Sequence, residues 1–277
     1  MRFRRDANLD TSQIGDRRGM RAGGPVLAGG GLIGLVFLVV SLLAGGGGDG
    51  SGLQLGSDES TSDLSAQCRT GDDANQRDDC RIVGVVNSVQ RFWEGQLQGY
   101  RRARTVFFEG ATQTGCGNAT SAVGPFYCPL DQTIYIDLGF YGDLRTRFGA
   151  RGGPFAEAYV IAHEYGHHVE NLLGVLDRAK RGDAGAESDS VKVELMADCL
   201  AGMWARGAVD TGYIEELTDA DIRDGLDAAA AVGDDRIQER AQGRVDPESW
   251  THGSAEQRQR WFSTGFRTTN VEQCRTL

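Results

Sequence analysis

From Ala22 to Gly48 the chain carries no charged residue, and between Pro25 and Ala44 only Ser41 is neither apolar nor glycine. Twenty residues rising about 1.5 Å each cover about 30 Å, the thickness of a bilayer's hydrocarbon core. The run therefore divides the chain before any other pattern is read. Residues 1–24 hold six Arg (Arg2, Arg4, Arg5, Arg17, Arg18, Arg21) against Asp6, Asp10 and Asp16, although the whole chain has a net charge of −10. Positive flanks stay in the cytoplasm, so residues 1–24 read as a cytoplasmic basic tail and 25–44 as a single transmembrane helix. The apolar run is longer than a signal-peptide core, and Leu42 spoils the small-x-small cleavage pattern before Ala44, which favours a retained anchor. Residues 45–66, with seven Gly between 45 and 56, read as a flexible linker. Residues 67–277 remain as one extracytoplasmic domain. The expected location is the cell membrane, single-pass, with the N-terminus inside.

Acidity argues against nucleic acid as a partner, since phosphate neutralisation needs a clustered positive surface. No phosphate-cradling Gly-x-x-x-x-Gly-Lys is present to suggest a nucleotide cofactor. At 40% hydrophobic and 25% charged residues, the composition is that of a globular protein with a sizeable core. All six Cys (Cys68, Cys80, Cys116, Cys128, Cys199, Cys274) follow the membrane run, where thiols oxidise. No Cys-x-x-Cys suggests a zinc knuckle, and the short spacings favour Cys68–Cys80 and Cys116–Cys128, leaving Cys199–Cys274.

Gly153-Pro154 opens, and Gly174 closes, a stretch with apolar residues at helical spacing: Phe155, Tyr159, Ala162, Val169, Leu172 and Leu173. Inside it stands His163-Glu164-Tyr165-Gly166-His167. Imidazoles four apart project from one helix face and can share one tetrahedral Zn²⁺, while Glu164, rotated by about 100°, can approach an attacking water without ligating the ion. Gly166 leaves room for another backbone or a substrate. His168 faces elsewhere on the helix, and no His lies six residues beyond His167, so a carboxylate is the expected third ligand. Ser188-Asp189 can cap a second, strongly apolar helix carrying Glu194 and Asp198 on one face. Glu194 on the metal, with Asp198 accepting the other ring N–H of His163, would satisfy both buried acids; an ordinary buried salt bridge to Arg is the alternative.

Further elements are legible more faintly. A helix is expected from Asp79 to Gly95, with Ile82, Val85, Val86, Val89, Phe92 and Trp93 on its apolar side, and another from Asp221 to Val232. Residues 105–108 and 133–137 are the best strand candidates. His252 precedes a capping box at Ser254–Gln257; it could reach the metal and stabilise an oxyanion, or sit exposed in its loop. Tyr165 and Tyr213 are weaker candidates for that task.

Residues 154–174 and 194–204 resemble the bacterial neutral zinc metallopeptidases, within the zincins whose third ligand is Glu. The likeness extends to the Arg-rich start, Cys116-Gly117 and Gly124-Pro125-Phe126-Tyr127-Cys128-Pro129, and Thr251-His252-Gly253-Ser254. It implies an α+β zincin-like domain, mainly helical with a small sheet, holding Zn²⁺ by His163, His167 and Glu194, with Glu164 as general base on a peptide or protein substrate. It also implies a sheet edge beside the first metal helix for substrate to pair with, at 105–108 or 133–137. Glu170 departs from the family pattern, where Gln is expected; one turn after His167 it could hold that ring or add negative charge near the metal, but it reads first as a solvated helix residue. The alternative to a membrane-anchored peptidase is an inactive, tethered zinc-binding module, which would have no need of Glu164.

Overall fold

The first strands lie where a separate tail was expected. The computed structural model describes residues 1–19, 62–180 and 182–277. Strands β1 (Arg2–Phe3) and β2 (Ile14–Asp16) belong to the main body, which corrects the division of 1–24 from the domain at 67–277. Phe3, Leu9 and Ile14 are isolated apolar residues, too sparse among Arg and Asp to show a strand period, yet all three are buried. The apolar run at 25–44 and the linker as far as residue 61 lie outside the described residues. Among the described residues no helix is long and apolar enough to cross a membrane. Helix α1 (Ser62–Gln67) begins inside the expected linker.

Short helix α2 (Gly71–Gln76) leads into α3 (Asp78–Gln96), which covers the expected 79–95. Its apolar residues Ile82, Val83, Val85, Val86, Val89 and Trp93 are fully buried, and Asp78 and Asp79 favour its positive N-terminal end. Next come β3 (Arg104–Phe108), the hairpin β4 (Ala111–Thr114) and β5 (Gly117–Thr120), then β6 (Phe126–Cys128) and β7 (Thr133–Asp137). The main sheet runs β2-β3-β7-β6, parallel except for β6 against β7. Neither 105–108 nor 133–137 is an edge: Thr105 pairs with Ile134 and Phe107 with Ile136 in the sheet's centre, and the edges are β2 and β6. Every residue of β7 is buried, as a strand covered on both faces must be.

The rest is helical. Helix α4 (Phe140–Thr146) precedes α5 (Pro154–Leu172) and α6 (Asp189–Gly207), the two expected metal-bearing helices. Strand β8 (Ile214–Glu216) pairs antiparallel with β1, and helices α7 (Asp219–Ala231), α8 (Asp234–Gln242) and α9 (Ala255–Phe266) follow. Helices α6 and α9 cross in backbone contact, since a Cβ on Gly202 would lie 2.0 Å from the Phe262 carbonyl oxygen and one on Gly265 1.8 Å from that of Cys199. The Cys199–Cys274 disulfide ties the chain end to this crossing; Cys68–Cys80 and Cys116–Cys128 complete the pairing that spacing favours. The mixed architecture, helices around small sheets, is consistent with a zincin-like domain.

Candidate metal centre

Helix α5 enters through Gly153, whose φ of 104° suits glycine, with Pro154 in the first turn. Every residue from Phe155 to Glu170 is buried, because β6, α3, α6 and α7 surround the helix. Gly166 sets the distance to α6: an added Cβ would lie 2.9 Å from both Cα and O of Ala197. The room left by glycine is thus filled by the α6 backbone rather than by substrate. One turn earlier on α6, Glu194 faces both imidazoles.

His163 Nε2 lies 3.1 Å from Glu194 Oε2, and His167 Nε2 lies 3.6 Å from Glu194 Oε1. Donors about 2.0–2.1 Å from one tetrahedral ion are about 3.4 Å apart, so these separations fit a single Zn²⁺. The outer nitrogens reinforce the fit. His163 Nδ1 meets Asp198 Oδ1 at 2.9 Å, and His167 Nδ1 meets Glu170 Oε2 at 2.8 Å. Each carboxylate can accept an Nδ1–H, which would leave Nε2 of both rings as the atom to ligate a metal ion beside Glu194. Glu170 is therefore not solvated but fully buried against His167. Burial raises its carboxyl to about 7 against the pull of His167, and its Oε1 has no partner among the described residues.

Asp198, without solvent exposure, is the hub behind His163. It accepts from Arg258 Nε at 2.8 Å and Nη2 at 3.1 Å, and from the Tyr159 hydroxyl. Burial raises its pKa, but Arg258 and His163 hold it below the usual carboxylate value. The pocket as a whole favours positive charge: burial disfavours a charged His163, yet Asp198 and Glu194 raise it to about 10. Such a donor set and field would hold a divalent cation at His163, His167 and Glu194. Glu164, 8% exposed, follows His163 directly, and no hydrogen bond among the described residues holds it; burial raises its pKa while His163 and His167 oppose the rise.

His252 is buried, not exposed in its loop. Its Nδ1 lies 3.3 Å from Asp234 Oδ1, and Asp234 Oδ2 accepts the backbone N–H groups of Thr251, His252 and Gly253 at 2.6–3.0 Å. Burial lowers the His252 pKa, but Glu194 and Asp234 raise it overall. Two expectations are corrected. Tyr165 shares a buried 2.8 Å hydrogen bond with Thr105, and Tyr213 packs beside the N-terminal segment, its carbonyl accepting from the Arg4 N–H. His168 faces away, as expected, bonding the Arg101 carbonyl at 2.6 Å and the Tyr127 hydroxyl at 3.0 Å.

Sequence reasoning missed Arg258, Asp234 and Tyr159. Arg258 had a signal: Ala255, Arg258, Phe262 and Gly265 form the buried face of α9, and an Arg among them announces a buried acid. Tyr159 lies one turn before His163 on the same face. Asp234 sits 18 residues from His252, and no periodic pattern links them.

A family model described as "Putative neutral zinc metallopeptidase" matches residues 1–277. An uncharacterized protein of Mycobacterium tuberculosis H37Rv is 56% identical over 222 residues, 78% of this chain and 75% of that one. The uncharacterized protein YpfJ of Escherichia coli K12 is 39% identical over 282 residues, 97% of this chain and 96% of the other. No solved structure matches the chain. By the full-length family match and these relatives, the chain belongs to the family described as "Putative neutral zinc metallopeptidase".

Proposed function

We propose that the protein is a zinc-dependent peptidase, held at a membrane by the run at 25–44, with its disulfide-bonded domain outside the cytoplasm. The observation that carries this reading is the convergence of two Nε2 atoms and one carboxylate, each ring fixed from behind by an acid. Zn²⁺ bound there supplies a Lewis acid that polarises a scissile carbonyl and acidifies water. Glu164 takes the proton of the attacking water and hands it to the leaving amine; burial raises its pKa, which makes it a stronger base for that water. His252, oriented by Asp234, donates to the developing oxyanion. Edge strand β6, whose Tyr127 hydroxyl bonds His168 and Asn171 of α5, offers main-chain groups to an extended peptide.

The test is digestion of a peptide library by the zinc-loaded protein and its Glu164→Gln variant. The variant should keep stoichiometric zinc and lose roughly 10²–10⁴-fold in turnover. Equal turnover in both would remove Glu164 from the mechanism. Stoichiometric zinc without cleavage by either would leave the tethered binding module as the reading.

A further inference from the structure

Both flanks of the uncharged run are built into one body. On the amino-terminal side, the Phe3 ring lies over Gly84 of α3, where an added Cβ would come within 2.5 Å of it. The N–H and C=O of Phe3 both bond the Asn75 side-chain amide, at 2.9 and 3.0 Å. Those of Asp10 bond the Asn87 amide in the same way, at 2.8 and 2.9 Å. Two asparagines thus take the place of a strand partner, satisfying backbone groups that would otherwise be lost from water. Strand β2 continues into the main sheet, with Ile14 beside Thr105 and Asp16 beside Phe107, and the Arg17 N–H donates to the Phe107 carbonyl at 2.8 Å. On the carboxyl side, α1 packs on the turn Thr11–Gln13, and Leu64 and Cys68 are buried in the same core.

Three described arginines of the expected cytoplasmic basic tail have acidic partners inside this body. Arg2 reaches Glu215 at 2.9 Å, Arg5 reaches Asp72 at 3.8 Å, and Arg18 bonds Asp16 at 2.6 Å and reaches Asp79 at 3.4 Å. The basic charge of the segment complements the acidic domain. That gives the Arg-rich start a cause other than membrane orientation.

We infer that residues 1–18 lie in the same compartment as residues 64–277. A single crossing would separate the flanks by about 30 Å of hydrocarbon, and β2 could not then pair with β3. The expectation of a cytoplasmic N-terminus opposite an extracytoplasmic domain is replaced by two flanks on one side. This does not rest on the peptidase reading.

The test uses full-length chains carrying one added thiol, because all six native Cys are in disulfides. Asp6→Cys reports on the first flank, its side chain being 85% exposed, and Leu130→Cys reports on the domain at 74% exposure. Right-side-out spheroplasts are treated with a membrane-impermeant maleimide before and after lysis. The two sites should label alike, within about twofold, in both conditions. Labelling of both only after lysis would keep this inference while refuting the extracytoplasmic domain. Labelling of Leu130→Cys before lysis and of Asp6→Cys only afterwards would overturn it.

Discussion

Asp198→Asn isolates the part of the centre that the metal does not touch. In the native protein four donor contacts converge on Asp198: Arg258 through Nε at 2.8 Å and Nη2 at 3.1 Å, His163 Nδ1 at 2.9 Å, and the Tyr159 hydroxyl. Asparagine keeps the shape but offers one acceptor oxygen and turns an NH₂ toward N–H groups. Arg258, 2% exposed, is left with Glu194 at 3.8 Å as its nearest carboxylate. Breaking a buried pair typically costs about 3–5 kcal/mol, and the retained oxygen puts the expectation near 3 kcal/mol. Urea unfolding of the zinc-free protein reads this as a lower midpoint at unchanged slope. Zinc affinity, measured by chelator competition, should fall about 10–100-fold because His163 loses the acceptor that fixes its ring. The double variant Asp198→Leu/Arg258→Met removes both charges. It should recover most of the stability while leaving the affinity low, since apolar replacement of a buried pair is often neutral. Stability of Asp198→Asn within about 0.5 kcal/mol of wild type, or full zinc affinity in the double variant, would refute the reasoning.

Two other perturbations test the scaffold. Gly166→Ala gains about 1 kcal/mol of helix propensity, but overpacking against the Ala197 backbone costs about 1–3 kcal/mol. The expected outcome is a less stable protein with weaker zinc binding, as α6 is pushed from α5; a variant stabilised by about 1 kcal/mol with native affinity would show that the helices do not touch there. Opening the 75-residue Cys199–Cys274 loop with a double Cys→Ala change should lower stability by about 4–5 kcal/mol, against about 3 kcal/mol for either 12-residue loop, measured by denaturant unfolding. Equal losses for all three would remove loop closure as the cause.

Period and spacing carry what is local in this chain. Helices α5 and α6, the His163–His167 face, the Glu194–Asp198 pair and the Cys68–Cys80 and Cys116–Cys128 disulfides all follow from residues within a turn or a short loop of one another, and Cys199–Cys274 is the pair those two disulfides leave. A helix makes such spacing a geometric fact before anything else folds. Strand order is different. Residues 105–108 and 133–137 show strand character, but which strand becomes an edge depends on partners supplied from elsewhere, here β2 from the first twenty residues and β6 from a three-residue stretch.

The sequence by itself determined the candidate ligand types, the acid beside them and the two helices that carry them, because those features repeat at 3.6 residues. Only the tertiary structure decided that Arg258 and Tyr159 converge on Asp198, that Asp234 holds His252, and that Glu170 turns inward to His167. It also decided that the first strands pack into the main body, β2 pairing with β3. Each of these depends on a meeting of distant segments, and such meetings are set by total burial and by the pairing of buried charge, which no local period records.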